Sequence, residues 1–253
     1  MKAIIYTAFG NSDVIKITEK EKPNFEDDEV LIKSSAVSIN PADIKYRKGL
    51  MQQRLPIELP YTPGLDVAGI IVAVGKNVSR LNVGDKVFGG KHGNTYAEYV
   101  TLKENVTSVI PSNISFFEAA ALVVPLVTSY SFLIEAAEIK KGQRIFIQGI
   151  TGGTGQIMLQ MAKSLGLYAI GTGSASGLEV MKSLGADEVI DYKNPELISL
   201  VKDIDIVIDL VGGETQLSSF KTLGGSFSNV NSRTLFLKSS KVIVFLSISS
   251  SLS

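Results

Sequence analysis

The 253-residue chain contains no cysteine and a single histidine, His92. Without thiols it can form no disulfide, no thiolate nucleophile and no thiolate metal site. One imidazole is too few for the histidine sets that hold zinc, so no metal centre is expected. An excess of basic charge is also missing, because 25 Lys and Arg balance 25 Asp and Glu. We therefore expect neither nucleic acid nor an anionic membrane among its partners.

Long hydrophobic runs are missing as well. The apolar run in MKAIIYTAFG is too short for a signal peptide. AAALVVPLV and VIVFL are far shorter than the roughly 20 residues of a membrane span. These absences predict a cytoplasmic protein with no membrane partner. The length suits one large domain or two modest ones.

The sequence up to about Pro111 contains short β-type runs, separated by turn signals such as PNFEDD, TPG and NVGD. They predict an irregular all-β domain that resembles a partly open barrel. An Ala-rich stretch follows, in which Ser115 and Glu118 have the spacing of a capping box at a helix start. Pro125 interrupts this stretch, so we expect two helices that meet near it.

From Gln143 onward, strand-type and helix-type segments alternate. RIFIQG, YAIGTG, DEVIDY, IDIVIDLVG, SFSNV and KVIVFLSI predict strands, and GTGQIMLQMAKSLG, GLEVMKSLG, NPELISLVKD and GETQLSSFKTLG predict helices. This alternation is typical of βαβ units and of a parallel sheet. The predicted fold class is α/β, with a β-rich domain in front of the parallel sheet.

Four glycines within seven residues end the first of these strands, in RIFIQGITGGTGQ. Gly149 is placed to make a tight turn, and Gly155 to let the following helix pack on the strand. Gly152 and Gly153 leave room for close approach of a ligand to the backbone. The N–H groups at the helix start, around Thr154, suit a pyrophosphate. The spacing is G-x-x-G-G-x-G rather than G-x-G-x-x-G, so a turn without a ligand remains the alternative.

The second strand of the predicted sheet ends in GTGSASG, which contains no acidic residue. NAD sites usually carry Asp or Glu there to hold the ribose 2′-hydroxyl, and a carboxylate would repel a 2′-phosphate. Ser174 and Ser176, with the backbone at Gly173, are therefore candidates to bind the phosphate of NADPH. The alternative is that these serines only fill a turn, and Lys182 is the one cation near them in the sequence.

Five motifs in order resemble the zinc-free quinone oxidoreductase branch of the medium-chain dehydrogenase/reductase superfamily: PGLDVAGIIVAVG, NVGDKVFG, YAEYV, GITGGTGQIMLQMAKSLG and LGADEVIDY. The resemblance implies a GroES-like domain over residues 1–122, a Rossmann domain with a doubly wound parallel sheet over 123–248, and a tail over 249–253. It also implies NADPH as cofactor, a quinone or α,β-unsaturated carbonyl (enone) as substrate, and a homodimer. The zinc-bearing branch has GHE where this chain has GLD.

The resemblance further implies which residues form the site. Asn40, Asp43 and Tyr46, in SINPADIKYRKG, match the segment beside the nicotinamide and are the expected catalytic group. Asn40 is also expected to contact the cofactor or the substrate carbonyl, with Asn40 and Tyr46 as possible donors to that oxygen; the alternatives are a turn at Asn40 and simple packing at Tyr46. His92 stands in a surface-type loop, so a general-acid role is not favoured. In PLVTSY, Thr128 matches a Thr at a helix start that approaches the nicotinamide ring, and a core position is the alternative for Tyr130. Further cofactor contacts are expected at Tyr192, Val211, Gly212 and Asn231 or Ser232.

The last part of the chain departs from the family pattern. Family members continue beyond the strand that GGSFSNV resembles and return to complete the catalytic domain, whereas this chain reads NSRTLFLKSSKVIVFLSISSSLS. The resemblance therefore implies that part of the substrate cleft and of the dimer contact is missing. Three functions stay open: an NADPH-dependent reductase, an NADPH-binding protein with little or no catalysis, and a remnant that folds only in part.

Overall fold

The computed structural model describes residues 1–212, Thr215, Ser219, and the backbone of residues 234–237 and 241–245. The chain divides into two compact units between Val124 and Pro125. Before residue 115, the first unit contains these elements: β1 (Lys2–Tyr6), β2 (Ile15–Glu19), β3 (Glu29–Ala36), α1 (Pro41–Arg47), β4 (Asp66–Val74), β5 (Lys86–Gly90), β6 (Tyr99–Lys103) and β7 (Thr107–Val109).

The strands of the first unit form an antiparallel hairpin, β1–β2, and an antiparallel sheet in the order β6-β3-β4-β5-β7. Strand β5 alternates buried and less buried side chains, whereas β3, β4 and β6 each contain three or more consecutive buried residues. The main core of this sheet contains Val30, Ile32, Val67, Ile71, Leu81, Val87, Val100 and Leu102. The prediction of a β-rich first region is confirmed.

Helix α1 is an exception within the region that was predicted to be all β, so that prediction is wrong over these seven residues. Two local features start the helix. Pro41 occupies its first position, where the missing N–H does no harm. The carboxylate of Asp43 accepts the backbone N–H of Asn40 at 2.8 Å, as in a capping box.

Helix α2 (Phe116–Tyr130) begins with the predicted capping box. The carboxylate of Glu118 accepts the N–H of Ser115 at 2.8 Å, and the Ser115 hydroxyl accepts the N–H of Glu118 at 3.3 Å. The expectation of two helices meeting near Pro125 is wrong, because the helix passes through Pro125 and continues as a π-helical turn over Ser131–Ala136. Pro125 is buried, and burial of this face offsets the one helical hydrogen bond that proline removes.

The continuous helical segment Phe116–Ala136 has 21 residues and a mean hydropathy of 1.7, and 33% of its most apolar window is buried. By length and composition this segment could cross a membrane, which the separate apolar runs did not predict. Core helices of soluble proteins meet the same two criteria, so these properties alone do not identify a membrane span.

The second unit contains the alternating elements. After α2 they are β8 (Arg144–Gln148), α3 (Gly153–Ser164), β9 (Tyr168–Gly173), α4 (Leu178–Ser183), β10 (Glu188–Asp191), α5 (Leu197–Leu200), β11 (Ile206–Asp209), β12 (Thr234–Leu237) and β13 (Lys241–Phe245). The described strands form one sheet in the order β10-β9-β8-β11-β13-β12, parallel except for β12. The predicted parallel sheet and the strand in KVIVF are confirmed. The strand order reverses between β8 and β11, where α/β folds bind their ligands.

Both faces of this sheet are buried, which explains the continuous apolar run in β8. On one face, Ile145 and Ile147 pack with Met158 and Leu159 of α3. On the other face, Phe146 belongs to a separate core cluster. The carboxyl end of β8 is therefore held from both sides, and the turn that follows it starts from a fixed position.

Polar side chains connect the amino-terminal ends of the parallel strands. The glycine turn lies at the opposite, carboxyl-terminal end of these strands. The guanidinium of Arg144 lies 4.1 Å from the centroid of the Tyr168 ring and 3.4 Å from the carboxylate of Glu188. The Tyr168 hydroxyl donates to the same carboxylate at 2.8 Å, and the Arg144 N–H donates to Asp205 at 2.9 Å. These four residues, here called the amino-end clamp, link β8, β9, β10 and the residue before β11.

One predicted helix differs from the observed one, and two further predicted elements cannot be compared. Helix α5 is shorter than NPELISLVKD predicted, because the backbone becomes extended at Val201 and lets Val201 and Ile204 enter a core cluster. The predicted helix GETQLSSFKTLG and strand SFSNV lie outside the described residues, apart from Thr215 and Ser219, which are helical.

Candidate functional site

The glycine turn connects the carboxyl end of β8 to α3, at the point where the strand order reverses. Gly149 has a φ of 79°, in the left-handed region that favours glycine. The N–H groups of Gly149 and Ile150 both donate to the carbonyl of Thr172, at 3.1 and 2.9 Å. These bonds fasten the turn to the end of β9, and the tight turn predicted at Gly149 is confirmed.

The other glycines of the turn differ in their surroundings. A Cβ on Gly155 would lie 2.5 Å from the carbonyl oxygen of Gly149 and 2.7 Å from Ile150, so helix packing requires glycine there. Among the described residues, a Cβ on Gly153 would meet nothing within 4 Å, and one on Gly152 would meet only the Gly149 oxygen, at 3.4 Å. The backbone at Gly152 and Gly153 therefore faces open space, where a ligand can approach it.

Helix α3 begins at this open space with free hydrogen-bond donors. Gln156 donates its N–H to the carbonyl of Gly152 at 3.0 Å. Among the described residues, the N–H groups of Gly153, Thr154 and Gly155 have no acceptor. Free donors at the positive end of a helix dipole favour an anion. The turn therefore fits the pyrophosphate of a dinucleotide.

The ends of β9 and β10 bring several predicted residues together. Ser174 and Ser176 are exposed, and their hydroxyl oxygens lie 3.3 Å apart. Tyr192, 56% exposed, donates its N–H to the carbonyl of Gly173 at 3.1 Å and so lies next to this loop. The ammonium of Lys193 lies 5.8 Å from the centroid of the Tyr192 ring. The sequence alone did not indicate Lys193 as a site residue, although parallel pairing of β9 with β10 places the two strand ends side by side.

Gly173 has a packing role in addition to its place in this loop. It is buried, and a Cβ there would lie 2.2 Å from the methyl carbon of Thr151. Because Thr151 belongs to the glycine turn, Gly173 lets the turn pack against the end of β9.

The loop after β11 contacts the glycine turn. A Cβ on Gly149 would lie 2.9 Å from Val211, and Gly212 has a φ of 78° with no described atom within 4 Å of its Cβ position. Asp209 accepts the N–H groups of Val211 and Gly212, at 2.8 and 2.9 Å, and the hydroxyl of Thr215 at 3.0 Å. Asp209 is fully buried and fixes this loop. The sequence signal for it was a single acid at the end of an apolar strand.

Asn40, Asp43 and Tyr46 lie together at α1 in the first unit. The side-chain amide of Asn40 donates to Asp66 at 2.8 Å and to the hydroxyl of Ser38 at 3.1 Å. Both of its hydrogens are therefore used inside the unit. The expectation that Asn40 donates to a substrate carbonyl does not fit this arrangement, because no amide hydrogen is left to donate.

Two buried carboxyl groups lie on either side of Asn40. Burial raises the pKa of Asp66, and hydrogen bonds from Ser38 and Asn40 oppose that rise. Burial likewise raises the pKa of Asp43, against the effect of the Asn40 N–H. The Ser38 hydroxyl also donates to Asp66. The two carboxyl groups thus hold Asn40 and the start of α1 in place.

Tyr46 carries the free donor of this group. Its ring is buried and meets the His92 ring edge to face, with centroids 4.7 Å apart. Within the described part of the chain, the Tyr46 hydroxyl has no hydrogen-bond partner. Burial raises its pKa, and Asp43 adds to that rise, so the hydroxyl stays protonated at neutral pH. His92 is exposed, as its loop predicted, but the loop places it against Tyr46 and near the Tyr61 ring.

The remaining predicted residues are less well placed. Thr128 lies in the interior of α2 and is partly buried, rather than at a helix start. Tyr130 is 51% exposed, so its assignment to the core is wrong. Asn231 and Ser232 lie outside the described residues. Within the described ranges, no three carboxylate or histidine side chains form a group able to hold a metal ion.

A β-rich unit followed by a parallel sheet, with a glycine turn at the point of strand reversal, defines a two-part dinucleotide-binding protein. Comparison with protein families gives the same result in both halves. Residues 26–112 match the alcohol dehydrogenase GroES-like domain, and residues 153–230 match the family described as zinc-binding dehydrogenase.

Individual relatives identify the branch of this superfamily. The 2-methylene-furan-3-one reductase of Solanum lycopersicum is 39% identical over 239 residues, which are 89% of this chain and 61% of the relative. The quinone oxidoreductase of Homo sapiens is 34% identical over 244 residues, or 92% of this chain and 74% of the relative. The structure of Escherichia coli quinone oxidoreductase complexed with NADPH has a TM-score of 0.79 at 27% identity and covers 91% of this chain and 76% of its own. The chain belongs to the quinone oxidoreductase branch of the medium-chain dehydrogenase/reductase superfamily, and it spans less than two thirds of the tomato reductase.

Proposed function

We propose that the protein is an NADPH-dependent reductase that transfers a hydride, without zinc, to a quinone or an α,β-unsaturated carbonyl compound. The observation that carries this proposal is the set of N–H groups at Gly153, Thr154 and Gly155, which have no acceptor among the described residues and lie beside the unobstructed backbone of Gly152 and Gly153. The names of the relatives support the reaction class, since they are a furanone reductase and quinone oxidoreductases, one of them solved with NADPH.

Ser174, Ser176 and Lys193 support a preference for NADPH over NADH. The two exposed hydroxyls can donate to a 2′-phosphate, and Lys193 adds a positive charge. No carboxylate stands in residues 171–177 to repel it. We expect Lys193→Met to weaken NADPH binding roughly threefold, as for loss of an exposed charge pair, and to leave NADH binding unchanged. Fluorescence titration with both cofactors measures this, with Lys16→Met as the control; equal losses for both cofactors would contradict it.

When bound, NADPH would supply a hydride to the electron-poor carbon of the substrate, and negative charge would develop on the carbonyl oxygen. The Tyr46 hydroxyl is the group of α1 that can donate to this oxygen as its negative charge develops. Asn40, Asp43 and Asp66 act by holding α1 in position. Water finally supplies the proton.

Apolar side chains around α1 suit an apolar, planar substrate. Ile39 is 78% exposed, Ile44 41%, Leu50 59% and Leu55 44%, and all four lie on α1 or in the segments that flank it. Exposed apolar groups close to one polar donor are typical of sites that bind ring compounds with a carbonyl. Quinones and conjugated enones have this chemistry.

The donor set supports hydride transfer without zinc. The chain has no cysteine and one histidine, and residues 64–66 read Gly-Leu-Asp. Zinc sites in proteins draw mainly on thiolates and imidazoles. The proposed reaction needs only a hydride donor and a group that stabilises the oxygen.

The direct test is oxidation of NADPH and of NADH by the purified protein, in the presence of a panel of quinones and enals. We expect saturable NADPH oxidation with at least one acceptor and slower oxidation of NADH. Equal rates with both cofactors would contradict the assignment of the 2′-phosphate site. NADPH binding without oxidation by any acceptor would contradict the assigned reaction.

That second outcome describes the alternative function, an NADPH-binding protein with little or no catalysis. The glycine turn would serve both functions equally, so only turnover distinguishes them.

A further inference from the structure

A cavity of about 430 Å³ lies in the first unit, between the segment that follows β2 and the edge strand β6. Lys20, Lys22 and Lys91 line it, together with Thr62 and Thr101. Its volume falls in the range of small-molecule sites, about 300–1,000 Å³. None of the residues assigned above to the α1 group or to the glycine turn lines this cavity.

Each of the three ammonium groups is held in place by a neighbour. Lys91 donates to the hydroxyl of Thr101 at 3.0 Å, and Lys20 donates to the hydroxyl of Thr62 at 3.1 Å. Both threonines are buried. The ammonium of Lys22 lies 4.0 Å from the centroid of the Tyr99 ring. An ammonium has three N–H donors, so Lys20 and Lys91 each keep two for a ligand.

The lysines of this cavity outnumber the acidic side chains that line it. No carboxylate there lies within 4.0 Å of the Lys20, Lys22 or Lys91 ammonium. Glu21 is the one acidic side chain that lines the cavity, against three lysines. Burial lowers the pKa of Lys91, and Glu29 opposes that effect. An anion bound at Lys91 would offset the unfavourable burial of its charge.

We propose that this cavity binds the phosphate group of a small phosphate monoester, with Lys91 and Lys20 as the principal donors and Lys22 as a third charge. Lysine suits phosphate as a point charge, whereas planar carboxylates are better matched by the fork of arginine, and no arginine lines the cavity. Ala3, Ala97 and Val100 provide an apolar wall for the organic part of the ligand. The proposed site is separate from the dinucleotide site.

Calorimetric titration of the 253-residue protein with phenyl phosphate, inorganic phosphate and benzoate tests the proposal. We expect phenyl phosphate to bind more tightly than inorganic phosphate, and benzoate to bind most weakly. Lys91→Met should weaken phenyl phosphate binding at least about tenfold, as expected for a lost charge-assisted hydrogen bond. Lys20→Met, at an exposed position, is a second test should Lys91→Met fail to fold, and Lys16→Met is the matched control outside the cavity.

The variant Gly153→Val tests whether phenyl phosphate binds in this cavity or at the glycine turn. Its affinity for phenyl phosphate should equal that of the parent protein, whatever happens to NADPH. Loss of phenyl phosphate binding in Gly153→Val would overturn the proposal, since it would move the ligand to the glycine turn. Absence of saturable binding by the parent protein, or equal affinity for benzoate, would overturn it too.

Discussion

The glycine turn of the second unit and the α1 group of the first are built in opposite ways. At the turn, backbone donors at Gly153 and Thr154 are left free around open space. At α1, side chains satisfy one another, and Asn40 uses both amide hydrogens on Asp66 and Ser38. The turn is therefore sensitive to atoms that are added to it, and the α1 group to atoms that are removed from it.

The largest expected effect separates packing from ligand space within the turn itself. Gly155→Ala places a methyl group 2.5 Å from the Gly149 carbonyl oxygen, so we expect unfolding to become easier by about 3 kcal/mol. Gly153→Ala is the matched control, because no described residue lies within 4 Å of its methyl group. Urea denaturation of both variants measures the difference. Equal stabilities would show that the turn has room at both positions.

The second largest effect is expected from a charge that is added to the open space beside Gly152. Gly152→Asp puts a carboxylate where the pyrophosphate is expected, so NADPH affinity should fall at least about tenfold. Cofactor fluorescence measures it, and Gly152→Ala should retain most of the affinity. Unchanged binding by the aspartate variant would mean that this turn holds no pyrophosphate.

Removal of one atom tests the α1 group. Tyr46→Phe deletes the free hydroxyl and keeps the ring contact with His92, so we expect kcat for an enone to fall about tenfold, with water replacing part of the donor's effect. KM for NADPH should not change. A kcat equal to that of the parent protein would leave α1 with a purely structural role.

The smallest effect expected is a pH dependence of stability in the first unit. Burial raises the pKa of Asp66 above its ordinary value of 3.8, so the folded state prefers the neutral acid. The resulting stabilisation of the folded state is complete when the pH is below the ordinary pKa of Asp66. It is lost as the pH rises through the raised pKa of Asp66 in the folded state. Asp66→Asn has no proton to lose there, so its stability should decline less as pH rises. Urea denaturation from about pH 4 to pH 8 compares the two proteins; parallel curves would exclude Asp66 as a source of the decline.

The sequence was sufficient for the features that depend on local pattern. The alternation of β8, α3 and β9 follows from hydrophobic periodicity, and the conformation of Gly149 follows from its place between a buried strand and a helix. The capping box at Ser115 follows from spacing alone. These features need only a few neighbouring residues.

Features that depend on tertiary contacts could not be predicted in this way. Pro125 stays inside a helix because burial offsets its lost hydrogen bond. Lys193 and Asp209 become site residues through strand pairing and loop packing, and Asn40 uses its donors on a residue 26 positions away. Spacing in the sequence carries no information about these partners.

The amino-end clamp, formed by Arg144, Tyr168, Glu188 and Asp205, has a consequence for the motions of the sheet. The clamp connects the strands at their amino-terminal ends, whereas the carboxyl-terminal end of β8 leads into a turn with free backbone donors. Opening fluctuations of the sheet are therefore expected to have their largest amplitude at the turn and their smallest amplitude near the clamp. In hydrogen-exchange terms, the amides of Gly153 and Thr154 belong to the fast-exchanging class and those of β8 to the slow class. An anion seated at the turn would slow the fast class and leave the slow class unchanged.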